Sequence, residues 1–463
     1  MNQENPSPKS LQKESLGLWE SIIMGIAGTA PAFSIEVTAS TIIAAVGALS
    51  AASILYCGLI MFGITFAFIN LNKMNPSAGA SFAWVGQIFG KTWGFFAGWA
   101  LLVASCLFMV SGTIPAANAF LLIFAPNYIN NVHLITIIAG VLHTAISLVV
   151  LKGIKLTSYV QVVMTIVEIM ILAIIAVASF VVFPNIAEHQ FSWEWFYITD
   201  FTPQTFASGA LIAMFFYWGW DVVMNLTEET KDSKKTPGQG AFWAMSYLLL
   251  FFIIFMVIVL IGLSDSEIEH YNTNVIYAVA EKLYGNIFGY MAIIAVLLST
   301  LGTLETSILQ FTRTLFAKGR DKVLHERFAE IHPRWQTPYI SVLFIWAFGM
   351  ALLIMSSYIN TVNTILKYFI SAIGFQISFY LGLAGMACAW YYKKMLIENF
   401  LSSITHVIWP FVSACFLFFI AIYSIPTFDL ITNILGIGGI ALGVIPLILN
   451  LYRNGKITKP TIT

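Results

Sequence analysis

From Phe242 to Leu263 the chain runs through roughly twenty residues without one charged side chain, the length needed to cross the hydrocarbon core of a bilayer. Inside that core no water is present to satisfy backbone N–H and C=O groups, so such a run must bond within itself as a helix. Comparable runs recur along the whole chain, near 18–46, 50–72, 92–124, 133–151, 157–183, 204–228, 239–263, 286–316, 337–356, 361–391, 403–424 and 428–452, taking roughly 20 apolar residues per crossing. Of 463 residues 59% are hydrophobic and only 10% charged, where a soluble domain carries about 25% charged side chains. A water-soluble fold is excluded. The expected class is an all-α integral membrane protein with twelve transmembrane helices.

The basic residues test that map independently, because Lys and Arg collect in cytoplasmic loops. With the N-terminus inside, Lys9, Lys13, Lys73, Lys91, Lys152, Lys155, Lys231, Lys234, Lys235, the five Arg and Lys residues between 313 and 327, Arg334, Lys393, Lys394, Arg453, Lys456 and Lys459 all fall on one side. Lys282 alone falls in an outer loop, and Lys367 falls within a span. A miscount by one helix would scramble this segregation. The pattern therefore predicts a multi-pass protein of the cell membrane with both termini cytoplasmic. Residues 1–17 are expected to be a cytoplasmic segment and 18–463 one membrane domain. No cleavable leader is read from the polar residues 1–15, so the first span is expected to stay in the mature protein. A formal net charge of zero says nothing about partners.

Two of the apolar runs are interrupted at corresponding places, at Gly25-Ile26-Ala27-Gly28-Thr29-Ala30-Pro31 and at Phe215-Phe216-Tyr217-Trp218-Gly219-Trp220-Asp221. A break at membrane depth frees backbone polar groups, which is tolerable only where they line a cavity or bind something. Paired breaks in two halves of a chain point to a solute site near the membrane midplane. Around them the spans correspond in two sets of five, about 18–183 and about 204–391, and an odd count forces the second set to insert upside down. The expected architecture is a 5+5 inverted repeat with discontinuous helices 1 and 6, followed by two further helices at about 403–452.

The stretch from Asn75 to Trp99, NPSAGASFAWVGQIFGKTWGFFAGW, and that from Trp218 to Pro237, WGWDVVMNLTEETKDSKKTP, have a recognisable cast, as does the basic segment ending His332-Pro333-Arg334 and Thr337-Pro338. In these motifs the chain resembles the amino acid/polyamine/organocation superfamily of transporters, of the bacterial amino acid permease type. The resemblance covers essentially the whole chain and does not name a substrate. It implies a secondary active transporter of amino acids or of amines derived from them, working by alternating access with proton coupling or exchange. An amine-selective permease of the same fold and a nutrient-sensing transceptor are the competing readings.

By that resemblance Gly28, Thr29 and Ala30, with Gly25 and Ala27 before them, hold the solute's carboxylate on the second half of helix 1. Here Ala30 stands where the family has a second glycine, and Pro31 removes one N–H donor. Phe215 matches the aromatic residue that covers the solute, with Phe216, Trp218 and Gly219 beside it. Ser105, Met109, Leu304 and Glu305 match cavity-lining positions. Glu168 falls where many proton-coupled members carry a lysine, so it reads either as a coupling group or as a structural glutamate. Asp221 reads as a gating acid or as a cap of the second half-helix.

Glu36, Glu168, Asp221 and Glu305 against Lys367 leave the intramembrane set acidic, which predicts a cavity of negative character suited to an amine-bearing solute. Glu228 and Glu229 read as a solvated face or as an inner-gate ion pair. His143 reads as a helix–helix hydrogen bond. No H-E-x-x-H, G-x-S-x-G or metal-spaced His/Cys cluster appears, so neither an enzyme nor a resident metal or cofactor is expected. Cys57, Cys106, Cys388 and Cys415 fall in apolar spans and read as packing residues. The partners expected are a small-molecule substrate, protons and the lipid bilayer, with no nucleic acid and the oligomeric state left open.

Overall fold

The computed structural model describes residues 10–129, 131–272, 274–358 and 362–454, with the side chains of 362, 363, 365–367 and 451–454 outside the description. The side chain of Lys367 therefore lies outside the described residues. Among the described residues there is no β-strand, and ten helical runs are long and apolar enough to cross a membrane. The run Leu18–Met74 enters that count once although it contains two long helical stretches, and Pro203–Phe216 falls short of the length because its helix is broken.

The first broken helix is α1 (Leu18–Gly28) followed by α2 (Pro31–Val46), and α3 (Ser50–Met74) runs back beside it. A short α4 (Ser81–Phe89) leads to α5 (Lys91–Ser111) and α6 (Thr113–Phe124), then α7 (Val132–Leu151) and the long α8 (Ile154–Ile186). The second broken helix is α9 (Pro203–Phe216) followed by α10 (Val222–Asn225). After it come α11 (Thr236–Gly262), the short α12 (Asp265–Tyr271) and α13 (Val275–Tyr284), and α14 (Asn286–Arg320). The chain then forms α15 (Tyr339–Ser356), α16 (Val362–Tyr391), and α17 (Phe400–Ser403), which passes through a π turn into α18 (Trp409–Ser424). A last apolar run covers Leu430–Asn450.

Local chemistry explains where the broken helices start. Pro31 and Pro203 each occupy the first turn of a helix, where the missing N–H costs nothing. Thr202 caps α9, its Oγ1 accepting from the Thr205 amide at 3.1 Å. The packing is inverted relative to a soluble protein. Glu36, Glu168, Asp221 and Glu305 are buried, while Phe124, Phe180, Ile287 and Phe400 stand exposed on the outer faces of their helices. A lipid solvent demands this arrangement, because apolar side chains lose nothing there and a carboxylate must turn inward.

Candidate functional site

The two breaks cross in contact. Ala30 takes left-handed backbone angles (φ 50°, ψ 68°) between α1 and α2, and Gly219 takes φ +106° between α9 and α10. A Cβ placed on Gly219 would lie 1.9 Å from the Gly28 carbonyl oxygen, and one on Gly28 would lie 2.2 Å from the Gly219 oxygen. Only two glycines let the backbones meet this closely, and Gly219 also needs its positive φ. Gly25, one turn earlier, lets α1 approach Ala244 of α11, where a Cβ would stand 2.7 Å from the alanine methyl.

Hydrogen bonds account for every amide of the first break. Thr29 N–H donates to Ile26 O at 3.1 Å and Ala30 N–H to Ala27 O at 3.1 Å. Pro31 has none to give. Ala32 N–H donates to Glu168 Oε1 at 3.2 Å, Phe33 N–H to Ser299 Oγ at 3.4 Å, and Ser34 N–H to Ala30 O at 2.8 Å. Glu168, on α8, thus lies on the N-terminus of α2, where partial positive charge favours a carboxylate. The Thr303 hydroxyl donates to Ala27 O and fastens α14 to the end of α1.

At the second break Asp221 Oδ2 accepts from Gln310 Nε2 at 2.8 Å and from the Tyr380 hydroxyl at 2.9 Å, and Tyr380 in turn accepts from Trp218 Nε1 at 3.0 Å. One buried carboxylate therefore ties the break to α14 and α16. Its side chain does not cap α10, and its Oδ1 has no hydrogen-bond partner.

A cavity of about 510 Å³ lies at the end of the bundle where α2 finishes and extends as far as Phe215, four residues before Gly219. It is lined by Val37, Thr38 and Thr41 of α2, Ser208, Leu211, Ile212 and Phe215 of α9, Asn272, and Ile370, Ser371 and Gly374 of α16, with Tyr423, Thr427 and Phe428 at its side. Phe215 also meets Phe33 edge-on (6.4 Å between centroids), Phe33 meets Phe108 (6.3 Å), and Phe108 meets Trp218 (5.5 Å). Of these rings Phe215 lines the cavity, and Phe33, Phe108 and Trp218 are buried behind it. Among the described residues no Asp, Glu, Lys, Arg or His lines the cavity. That corrects the expected negative character. Glu36 instead accepts from the Ile276 amide at 2.5 Å and caps α13, and Glu305 Oε1 lies 3.2 Å from the Gln161 amide nitrogen oriented toward it on α8.

The opposite end, which carries most of the basic side chains, is closed. Arg313 holds Glu229 through Nε and Nη2, both at 2.9 Å, and both side chains are wholly buried. Asn225 donates to Ala78 O at 2.8 Å and to Thr314 at 3.0 Å, and Glu228 accepts from the Ala78 amide at 2.8 Å and pairs with Arg320 at 2.9 Å. Glu229 is thus an ion-pair residue and not part of a solvated face. The segment before α1 straps this end. Ser15 and Leu16 amides donate to Glu229 O at 2.8 and 3.1 Å, Lys231 N–H donates to Leu16 O at 2.9 Å, and Leu11 is buried in a small apolar cluster with Ala78, Phe316 and Ile331.

At the cavity end the structure adds a surface cluster. Lys282 of α13 bonds Glu188 at 2.6 Å and Glu267 of α12 at 2.9 Å. Partial burial works against the Glu267 carboxylate, but the Ser264 amide and Lys282 outweigh it and hold its pKa below the ordinary range. Burial likewise works against the Lys282 ammonium, and its bonds to Glu188 and Glu267 outweigh that and raise its pKa.

The structure brings Gly28, Thr29, Ala30, Phe215, Trp218 and Gly219 to one crossing, with Ala27 joined to it through Thr303. Phe216 packs edge-on against Phe252 of α11 (5.2 Å), and Met109 lies against Gly349 of α15. Ser105 donates to Leu101 O within its own helix, and Leu304 is wholly buried. Glu305 lies two residues past Thr303, a rotation of about 200° at 100° per residue, which turns it from α1 toward α8. His143 donates from Nε2 to Trp346 O at 3.3 Å, the helix–helix bond expected of it. Gln310, Tyr380 and Arg313 are not singled out by sequence as site residues, whereas Ser299 and Thr303, hydroxyls that sequence offers to a sodium site, bond the Phe33 amide and Ala27 O instead. The spacing from Asp221, 89 residues for Gln310 and 159 for Tyr380, hides the contact from any local pattern.

Among the described residues an all-helical bundle with ten membrane-length apolar runs and two broken helices defines a multi-pass membrane protein. The chain belongs to the amino acid permease family, which it matches over residues 16–445. It is 25% identical over 307 residues to the serine/threonine exchanger SteT of Bacillus subtilis (strain 168), an alignment covering 64% of this chain and 65% of that one. It is 24% identical over 297 residues to the low-affinity putrescine importer PlaP of Escherichia coli (strain K12), covering 63% and 64%. Over 367 residues it is 23% identical to the branched-chain amino acid permease BcaP of Bacillus subtilis (strain 168), covering 74% of each. The chain thus spans just under two thirds of the length of the first two relatives.

Proposed function

We propose that this protein is a secondary active transporter that carries amino acids, or amines derived from them, across the cell membrane by alternating access. The observation that carries the reading is the Gly28/Gly219 crossing of two broken helices, with a 510 Å³ cavity that extends to Phe215 toward one end and the buried Arg313–Glu229 pair toward the other. A solute reaching the crossing from the cavity cannot leave by the far end until that pair separates. The relatives' printed substrates, which include serine and threonine, branched-chain amino acids and putrescine, support the same two solute classes.

In this reading Leu18–Met74 crosses twice and 203–225 crosses once, so the ten apolar runs amount to twelve transmembrane helices. Both termini lie with the basic end in the cytoplasm, following the preference of Lys and Arg for that side. The two breaks, α1/α2 and α9/α10, are equivalent parts of an inverted repeat of five helices each. The cavity then faces outward. Rocking of α1, α2, α3, α9, α10 and α11 against the remaining helices opens the basic end.

The test is counterflow into liposomes holding the purified protein, run with labelled amino acids and their decarboxylated amines, with and without a pH gradient. Saturable accumulation of either class above protein-free vesicles is expected. Stimulation by an inward proton gradient identifies symport, and dependence on internal solute identifies exchange. No accumulation of any member of either class would overturn the reading.

A further inference from the structure

Resting on that proposed function, the geometry points to Glu168 as the residue that sets the solute's chemical class: its carboxylate fills the place on the α2 N-terminus that a solute carboxylate would need, so the preferred solute is an amine without one. A carboxylate in a membrane interior must be met by hydrogen-bond donors, whereas an ammonium must be met by acceptors. The first break has spent its donors. The amides of Thr29, Ala30, Ala32, Phe33 and Ser34 all donate within the protein, and Pro31 has none.

Glu168 is itself buried, and it approaches from α8, 136 residues away, to accept the Ala32 amide at 3.2 Å. Ser299 takes the next amide, Phe33, at 3.4 Å, so α8 and α14 together close the helix end. A solute carboxylate arriving there would find no unspent amide and would meet the Glu168 carboxyl in its place. On the other break the unmade bond is an acceptor: Asp221 Oδ1 is buried without a partner, in the carboxylate that Gln310 and Tyr380 hold through Oδ2. The unpaired donor nearby in sequence, Trp220 Nε1, belongs to a ring packed edge-on against Phe68 of α3.

The experiment compares counterflow of an amine with that of its parent amino acid, using cadaverine against lysine and isobutylamine against valine, in wild type, Glu168→Gln and Glu168→Ala. Gln keeps an oxygen for the Ala32 amide and removes only the charge, whereas Ala vacates the helix end. Wild type is expected to prefer each amine by about tenfold or more in kcat/KM, and both variants to lower that ratio by about tenfold, about 1.4 kcal/mol, chiefly through a lower KM for the amino acid. Preference of the wild type for the amino acids overturns the inference by itself, whether or not the variants fold. An unchanged ratio in variants that still transport also overturns it. Transport of neither class would instead remove the permease reading beneath it.

Discussion

Gly28 and Gly219 touch backbone to backbone, and a single methyl group on Gly219 would stand 1.9 Å from the Gly28 carbonyl oxygen. No side chain can move aside to relieve that contact, because the obstructing atom is main chain. Gly219→Ala carries the added penalty of φ +106°. Forcing extra volume into such a site costs about 1–3 kcal/mol or more. Gly219→Ala and Gly28→Ala are each expected to reach the membrane but to lower counterflow at least about tenfold, and near-normal rates in either would separate the crossing from the transport path.

Tyr380 joins the two ends of the second break, accepting from Trp218 and donating to Asp221. Tyr380→Phe leaves the indole N–H without its acceptor and Asp221 with Gln310 alone. An unsatisfied buried polar group costs about 1–3 kcal/mol. A severalfold loss of transport with unchanged expression is expected, measured as initial uptake rate, whereas Tyr423→Phe at the cavity wall is expected to change it little.

The Arg313–Glu229 pair lies wholly out of solvent, so removing one partner strands a charge. Breaking a buried pair in this way costs about 3–5 kcal/mol. Glu229→Gln should lower the melting temperature in detergent and expose the basic end to labelling. Restoration of both properties by a compensating Arg313→Gln would show that the stranded charge, and not the lost packing, is responsible.

Leu11 is buried between Ala78, Phe316 and Ile331, in the strap that pairs with Glu229. Leu11→Asp would bury an unpaired carboxylate in an apolar pocket, and the strap is expected to come away instead. Trypsin cleavage after Lys13 should accelerate about tenfold or more if detachment costs about 1.4 kcal/mol. An unchanged digestion rate would mean the strap does not hold there.

The Lys282 cluster predicts a pH dependence of stability. Glu267, with its pKa lowered in the fold, stabilises above the ordinary carboxyl value near 4.3, and that contribution is lost as pH falls through the folded value. Lys282, with its pKa raised, stabilises below about 10.4 and loses its contribution as pH rises through the folded value. Lys282→Met should therefore cost stability at neutral pH, on the order of 1 kcal/mol or less for so exposed a cluster. The difference from wild type should narrow below about pH 4.

Much of the architecture was legible because bilayer length and the Gly/Pro interruptions are local signals. The sequence breaks at Gly25 to Pro31 and at Phe215 to Asp221 contain the gaps between α1 and α2 and between α9 and α10, which are shorter. Side-chain roles were less legible, for a rotational reason. On a helix one residue is about 100° of rotation, so placing Glu305 on span 8 did not say that it would face Gln161. Glu36 and Glu168 were read as acids bordering a cavity, but their bonds lie 240 and 136 residues away at helix ends that pattern alone does not bring together. The short helices α12 and α13 lie where the sequence predicts an outer loop around Lys282, because they are too short and polar to register as membrane spans.

In alternating access the crossing opens to one end at a time, and paired cysteine accessibility distinguishes this from a path open to both. With Cys57, Cys106, Cys388 and Cys415 replaced, Thr41→Cys reports on the cavity and Thr314→Cys on the closed end beside Asn225. Without solute, Thr41→Cys should react with a maleimide and Thr314→Cys should be protected. Adding a solute that the protein counterflows should slow the first reaction and speed the second. If that solute leaves both rates unchanged, or raises both together, alternating access through this crossing is contradicted.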